Sequence, residues 1–180
     1  FAYSTMTLPI SSTYICDVLF ANNLELEDIS YLFYHCQTDS VLTENKDGGH
    51  TLFPSTRITN ASNLYDGYSA TSVQGYENIP FVYSSPGLKD ISYMFANQKV
   101  FRNLGDMFND YSTWSWNTLG SSLPLLENCS YMFSNATELT GQGNKLVTEL
   151  SKITTLTNHE KTFENCTKLS DYNSIPVGWK

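Results

Sequence analysis

The sequence is short of charge, and of positive charge above all. Of its 180 residues 16% are charged, with 10 Lys and Arg against 18 Asp and Glu, giving a formal net charge of −8 and a pI near 4.7. Lys and Arg form no cluster, and both a nucleic-acid backbone and an anionic membrane surface demand one, so neither is expected as a partner. Long apolar runs are also missing: none approaches the ~20 residues of a membrane-spanning helix, so no membrane insertion is expected. The four cysteines include no C-x-x-C pair, which argues against zinc. No basic segment leads an apolar one at the start, so Phe1-Ala2-Tyr3 does not read as a signal peptide. The chain reads as a piece of a longer one, and the closing Ile175-Pro176-Val177-Gly178-Trp179-Lys180 as an interrupted end with Trp179 exposed.

Apolar and aromatic residues are present in quantity, at 41% and 14%. A chain of this length fits one domain, spanning residues 1–180, with a sizeable core. Ser, Thr and Asn are abundant, so the surface is polar mainly through uncharged groups.

Internal repetition organises the chain. Asp90-Ile91-Ser92-Tyr93-Met94-Phe95-Ala96-Asn97 returns as Asp28-Ile29-Ser30-Tyr31-Leu32-Phe33 and as Asn128-Cys129-Ser130-Tyr131-Met132-Phe133-Ser134-Asn135. Aligned on the Phe, seven copies are discernible, with apolar residues at spacings 0, 3, 6 and 7 along a stripe that ends on it. Copy one is Thr13, Cys16, Leu19, Phe20; copy two Leu26, Ile29, Leu32, Phe33; copy three Ile58, Ala61, Leu64, Tyr65. Copy four is Leu88, Ile91, Met94, Phe95; copy five Phe101, Leu104, Met107, Phe108; copy six Leu126, Cys129, Met132, Phe133. Copy seven, Leu156, His159, Thr162, Phe163, is the most eroded.

That spacing predicts one stripe of an amphipathic helix of about two turns. Asp28, Asp90 or Asn128 would cap its start, and Asn22, Gly67, Asn97, Asn135 or Asn165 would stop it in the left-handed conformation. The aromatics are unevenly spaced, at 13, 32, 30, 13, 25 and 30 residues. Strands are expected between copies at 52–54, 78–83, 121–124, 145–148 and 174–176, several closed by an apolar-Pro pair.

These segments resemble the BspA-type leucine-rich repeat, in particular its bacterial surface-protein branch with a Met-Ser-Tyr-Met-Phe-x-x-Cys core. Cys36 and Cys166 stand at the Cys position, and Ala136, Gln98 and Asn23 replace it elsewhere. The resemblance covers roughly residues 12 to 179 and is specific in copies two, four and six. It implies an α/β repeat solenoid, irregular here, with short strands on one face and short helices or turns on the other. It also implies a surface-exposed protein of bacteria, protists or gut phages, acting in adhesion and recognition without a catalytic motif.

The residues themselves offer little chemistry. Cys16 and Cys129 share one repeat position and Cys36 and Cys166 another, where other copies place Ile, Ala or Gln, so all four read as buried free thiols. His35, His50 and His159 are scattered, with His159 on the apolar stripe. Asp47-Gly48-Gly49 lacks the ligand spacing of a calcium loop and reads as a turn. Asn60, Asn128, Asn135 and Asn165 head formal N-glycosylation triplets, each of which the repeat grammar already explains.

The most suggestive binding stretch is Tyr111-Ser112-Thr113-Trp114-Ser115-Trp116-Asn117. Aromatic faces there could stack on sugar or anchor a protein, with Trp114 at a core position and Tyr111 and Trp116 as the candidate ligand contacts. The expectation is therefore a non-catalytic recognition module, with no cofactor and no metal, at the bacterial cell surface or outside the cell. Its partners would be a protein or glycan of a cell surface, or neighbouring subunits of a large assembly. The competing setting is a phage virion component such as a tail fibre, and the remote one a carbohydrate-active enzyme.

Overall fold

The computed structural model describes residues 5–6, 24–40, 57–72, 86–108 and 118–180. Copy one lies outside them, as do the segments 52–54 and 78–83, His50 and Asp47 to Gly49.

The repeated segment is a set of tight turns rather than a helix. In copy two, Leu32 N–H donates to the Ile29 carbonyl, Tyr34 to Tyr31 and Cys36 to Phe33, each bond spanning three residues. Helical bonding is prevented by backbone that turns left-handed twice per copy. Tyr31, Asn63, Tyr93, Tyr131 and Lys161 stand two before the aromatic at φ of 54–58°, and His35, Gly67, Asn97, Asn135 and Asn165 stand two after it at 48–66°. The Asn and Gly positions take the conformation expected of them, but inside a turn instead of at a helix end. Tyr and Lys in the other column carry no intrinsic preference for positive φ, so surrounding contacts must hold them there.

What holds them is a ladder between copies. Alternate N–H groups point along the stack. Ile91, Tyr93, Phe95 and Asn97 donate to the carbonyls of Asn128, Ser130, Met132 and Ser134 at 2.8–3.0 Å. The same four-bond pattern joins copy two to three, three to four, and six to seven. Parallel bridges Asp28–Asn60–Asp90–Asn128–Asn158 run down one edge. At that edge Asp28, Asn60, Asp90 and Asn128 each accept the N–H two residues on, an Asx turn. The amides of Asn60 and Asn128 donate to the carboxylates of Asp28 and Asp90, at 3.2 Å in both cases. Acid and amide alternate over these four copies, so like charges do not adjoin.

The stripe faces inward as the spacing requires. Phe33, Tyr65, Phe95, Phe133 and Phe163 are fully buried and stack in one column, with centroids 5.4–5.7 Å apart and rings within 14° of parallel. Copy five is the exception. Its Leu104–Met107 forms a short helix, α1, capped by the Asn103 side chain, and its bridge is to Thr140 and not to the motif column. Phe101 instead enters the aromatic column edge-on, 5.4 Å from Phe95 and 5.6 Å from Tyr65. Gln98 builds that detour. Buried at the position of Cys36 and Cys166, its oxygen accepts from Val100 and Phe101 N–H and its amide donates to the Phe101 carbonyl. Much of the uneven spacing is thereby explained, because copy four pairs with copy six, 38 residues on.

Regular elements are few. Strands β1 (Thr5–Met6), β2 (Gln37–Ser40) and β3 (Ser69–Ser72) form a parallel sheet in that order, with Gln37 opposite Ser69. Two of the expected strands are helical instead. Helix α2 covers Leu119–Ser122, and helix α3 covers Gly143–Leu150. In α3 the buried residues are Gly143, Leu146, Val147 and Leu150, which is helical spacing, and a Cβ on Gly143 would stand 2.5 Å from Ile175 Cδ1. At 174–176, Tyr172–Ser174 is a 3₁₀ turn and Ile175 is an extended, buried residue following it.

Trp179 is buried, against the expectation that it would be exposed. It stacks on His159 at 4.2 Å and 7°. Its carbonyl and that of Gly178 accept from Phe163 and Lys161 N–H, as the carbonyls of a following copy do elsewhere.

Candidate functional site

The turns that bury the aromatic column present their remaining side chains in columns outside it. Two before the aromatic stand Tyr31, Asn63, Tyr93, Tyr131 and Lys161; two after it stand His35, Gly67, Asn97, Asn135 and Asn165. The left-handed backbone at both positions is what carries these residues clear of the core. The two columns flank a third. Tyr34, one after the aromatic, packs edge-on against both Tyr31 at 5.3 Å and His35 at 4.4 Å.

The tyrosine column is ordered by stacking. The rings of Tyr93 and Tyr131 lie 4.7 Å apart and 4° from parallel, and Lys161 Nζ sits 5.6 Å over the far side of the pair on Tyr131. Partial burial, followed by the negative neighbours, raises the Tyr93 phenol above its usual range. Lys161 forms an ion pair with Glu164 at 3.1 Å, and Glu164 also accepts from the Ser134 hydroxyl at 2.9 Å. Those two hydrogen bonds lower the Glu164 carboxyl, and the Glu164 bond raises the Lys161 amine.

The amide column is a directed chain. Asn165 Nδ2 donates to Asn135 Oδ1 at 2.7 Å, Asn135 Nδ2 to Asn97 Oδ1 at 3.2 Å, and Asn97 Nδ2 to Asp66 Oδ1 at 2.8 Å. Asp66 is the terminus because a carboxylate can only accept, and it fixes which way every amide faces. It is 5% exposed. Burial raises its pKa, with the Asn97 bond and the nearby His35 acting in the opposite sense.

A raised folded-state pKa means that the folded protein holds the proton more tightly than the unfolded one. Stability therefore falls as pH rises through the carboxylate range to the folded value. Asp66→Asn keeps an acceptor for Asn97 and removes that cost. It should melt at a higher temperature than the parent near pH 7 and lose the advantage near pH 3, as read by thermal denaturation across pH.

The cysteines are core. Cys36, Cys129 and Cys166 are free and fully buried, while Cys16 lies outside the described residues. Burial pushes the thiols of Cys129 and Cys166 up to about 12. Native protein at pH 8 should therefore leave these two thiols unalkylated by iodoacetamide over an hour, and denatured protein should be labelled fully, by intact mass.

An open concavity of about 370 Å³ is lined by Thr167, Leu169 and residues 170–174. Its carboxylate is committed to the fold: Asp171 accepts the Gly143 and Asn144 N–H groups that begin α3, at 2.8 and 2.9 Å. Among the described residues no group of three or more His, Cys, Asp or Glu is placed to hold a metal.

Tyr111 and Trp116, the candidates from sequence, lie outside the described residues, as does Trp114. Sequence reasoning missed the outward columns although the motif displays them. Tyr31, Tyr93 and Tyr131 recur at one position, and a recurring aromatic off the apolar stripe was the available signal. No protein-family model, curated protein or solved structure matches the chain.

Proposed function

We propose that the protein is a non-catalytic recognition module on the outside of a bacterial cell, and that its stacked turns belong to an irregular solenoid of the BspA leucine-rich-repeat type. One observation carries the reading: the repeated apolar positions pack into the core, and the polar and tyrosine positions of the same turns stand outside in ordered columns. A scaffold of this kind holds side chains rigid without further ordering on binding, which lowers the entropic cost of association. The acidic balance of the chain keeps it from nonspecific contact with nucleic acid and anionic membrane. In a virion the same face would meet a host surface or a neighbouring subunit.

The test is a screen of the folded protein against intact cells and arrays of immobilised surface proteins and glycans. Saturable binding at micromolar concentration supports recognition. Turnover of any arrayed glycan, read by released reducing ends, would replace it with an enzymatic function.

A further inference from the structure

We infer that the outward face of the turns, between the tyrosine and amide columns, binds an uncharged polysaccharide chain; this rests on the recognition reading above and names its ligand class.

The face is close to electrically neutral although the chain is acidic. Of the ten positions in its two outer columns only Lys161 and His35 carry ionisable charge, and both stand at an end. Lys161 is paired with Glu164, and the Asp66 carboxylate between the columns is withdrawn from solvent and bonded to Asn97. A cationic ligand would find no exposed unpaired carboxylate in those two columns, and an acidic glycan would meet a protein of net charge −8.

The groups displayed are hydroxyls and amides, the donors and acceptors that a sugar hydroxyl matches. They are already fixed. Each of Asn97 and Asn135 has its amide held at both ends by the chain of hydrogen bonds, leaving one N–H and one lone pair free for a ligand. Tyr93 and Tyr131 each spend one ring face on the other, and Lys161 lies over the ring of Tyr131, so that part of the column offers edges and hydroxyls more than open faces.

A protein partner would be anchored on large apolar side chains, and the exposed one in these columns is Tyr31 at 50%. The face also repeats over copies four and six, where Tyr93 and Tyr131 stand 4.7 Å apart and Asn97 and Asn135 are joined beside them. A ligand that itself repeats meets equivalent groups at successive copies and gains from several weak contacts at once.

The test is native affinity electrophoresis of the whole chain in gels containing hydroxyethylcellulose, galactomannan, arabinoxylan or dextran, with polygalacturonate as the charged counterpart. The variant is Tyr93→Phe with Tyr131→Phe, which retains both rings and their stacking and removes only the hydroxyls. Retardation by at least one neutral polymer, none by polygalacturonate, and a weakening of about tenfold in the variant at unchanged melting temperature are expected. No retardation by any neutral polymer, or equal retardation of parent and variant, overturns the inference.

A second arm separates it from the broader reading. Cells that bind the protein are treated with periodate, which cleaves vicinal diols, or with protease. Binding lost to periodate alone supports the glycan. Binding lost to protease alone overturns the glycan and leaves recognition standing. Absence of binding to all untreated cells overturns both.

Discussion

Phe95→Ala is expected to destabilise the protein by about 3–5 kcal/mol, the range for truncating a fully buried aromatic. Phe95 has no exposure and lies mid-column, stacked on Tyr65 at 5.7 Å and Phe133 at 5.4 Å, with Phe101 edge-on at 5.4 Å. Removing it opens a void flanked by three rings, with the backbones of Tyr65 and Phe133 fixed by the ladder and that of Phe101 by Gln98, so the site cannot collapse easily. Alanine also removes the ring that stacks on both Tyr65 of copy three and Phe133 of copy six. Urea denaturation followed by far-ultraviolet circular dichroism reads the loss. A cost below about 1 kcal/mol would mean that the column is not the core of the stack.

Asn97→Val is expected to be the most damaging change on the exposed surface. Two effects combine at this residue. Its backbone is left-handed at φ 55°, where a β-branched side chain adds about 1–3 kcal/mol of strain. Its amide supplies the partner of the buried Asp66 carboxylate and accepts from Asn135, and leaving the acid unpartnered costs about 1–3 kcal/mol more. Asn97→Gly separates the two, since glycine accepts the backbone and lacks the amide. The valine variant should be less stable than the glycine variant by the strain alone. Equal stabilities would show that the left-handed turn is not imposed at this position.

The inward half of this architecture is legible in the sequence. The stripe ending at Phe33, Tyr65, Phe95, Phe133 and Phe163 packs into the core, with Leu26, Leu32 and Leu156 partly buried at its two ends, and Cys36, Cys129 and Cys166 behave as small apolar residues. The left-handed stops at Asn97, Asn135 and Asn165 follow from residue type. The hydrogen-bond partners were not legible. A spacing of 0, 3, 6 and 7 fits two turns of helix and equally fits consecutive three-residue turns. The left-handed residue two before each aromatic decides between them, and the tyrosines at 31, 93 and 131 give no local sign of that conformation.

Copy five shows the converse. Leu104 and Met107 share the stripe, yet that segment is the one helical copy among the described residues, because Gln98 and Phe101 divert the chain before it reaches the ladder. The error at 145–148 has a simpler cause. Reading four residues hid the period set by Gly143, Leu146, Val147 and Leu150. The outward columns are hidden for a related reason: a recurring tyrosine off the stripe has neighbours in space that come from other copies.

The central claim is that each copy bonds to the next copy and not to itself as a helix. A ¹⁵N-edited NOESY spectrum tests it most directly. The ladder predicts contacts from the amide of Phe95 to the α-proton of Met132 and from the amide of Tyr93 to that of Ser130, across bonds of 2.8 and 3.0 Å between distant copies. Strong intraresidue amide-to-α contacts should mark the left-handed Tyr93 and Asn97. Absence of those inter-copy contacts, with a continuous run of sequential amide–amide contacts and α-to-amide contacts three and four residues apart through 88–97, would contradict it.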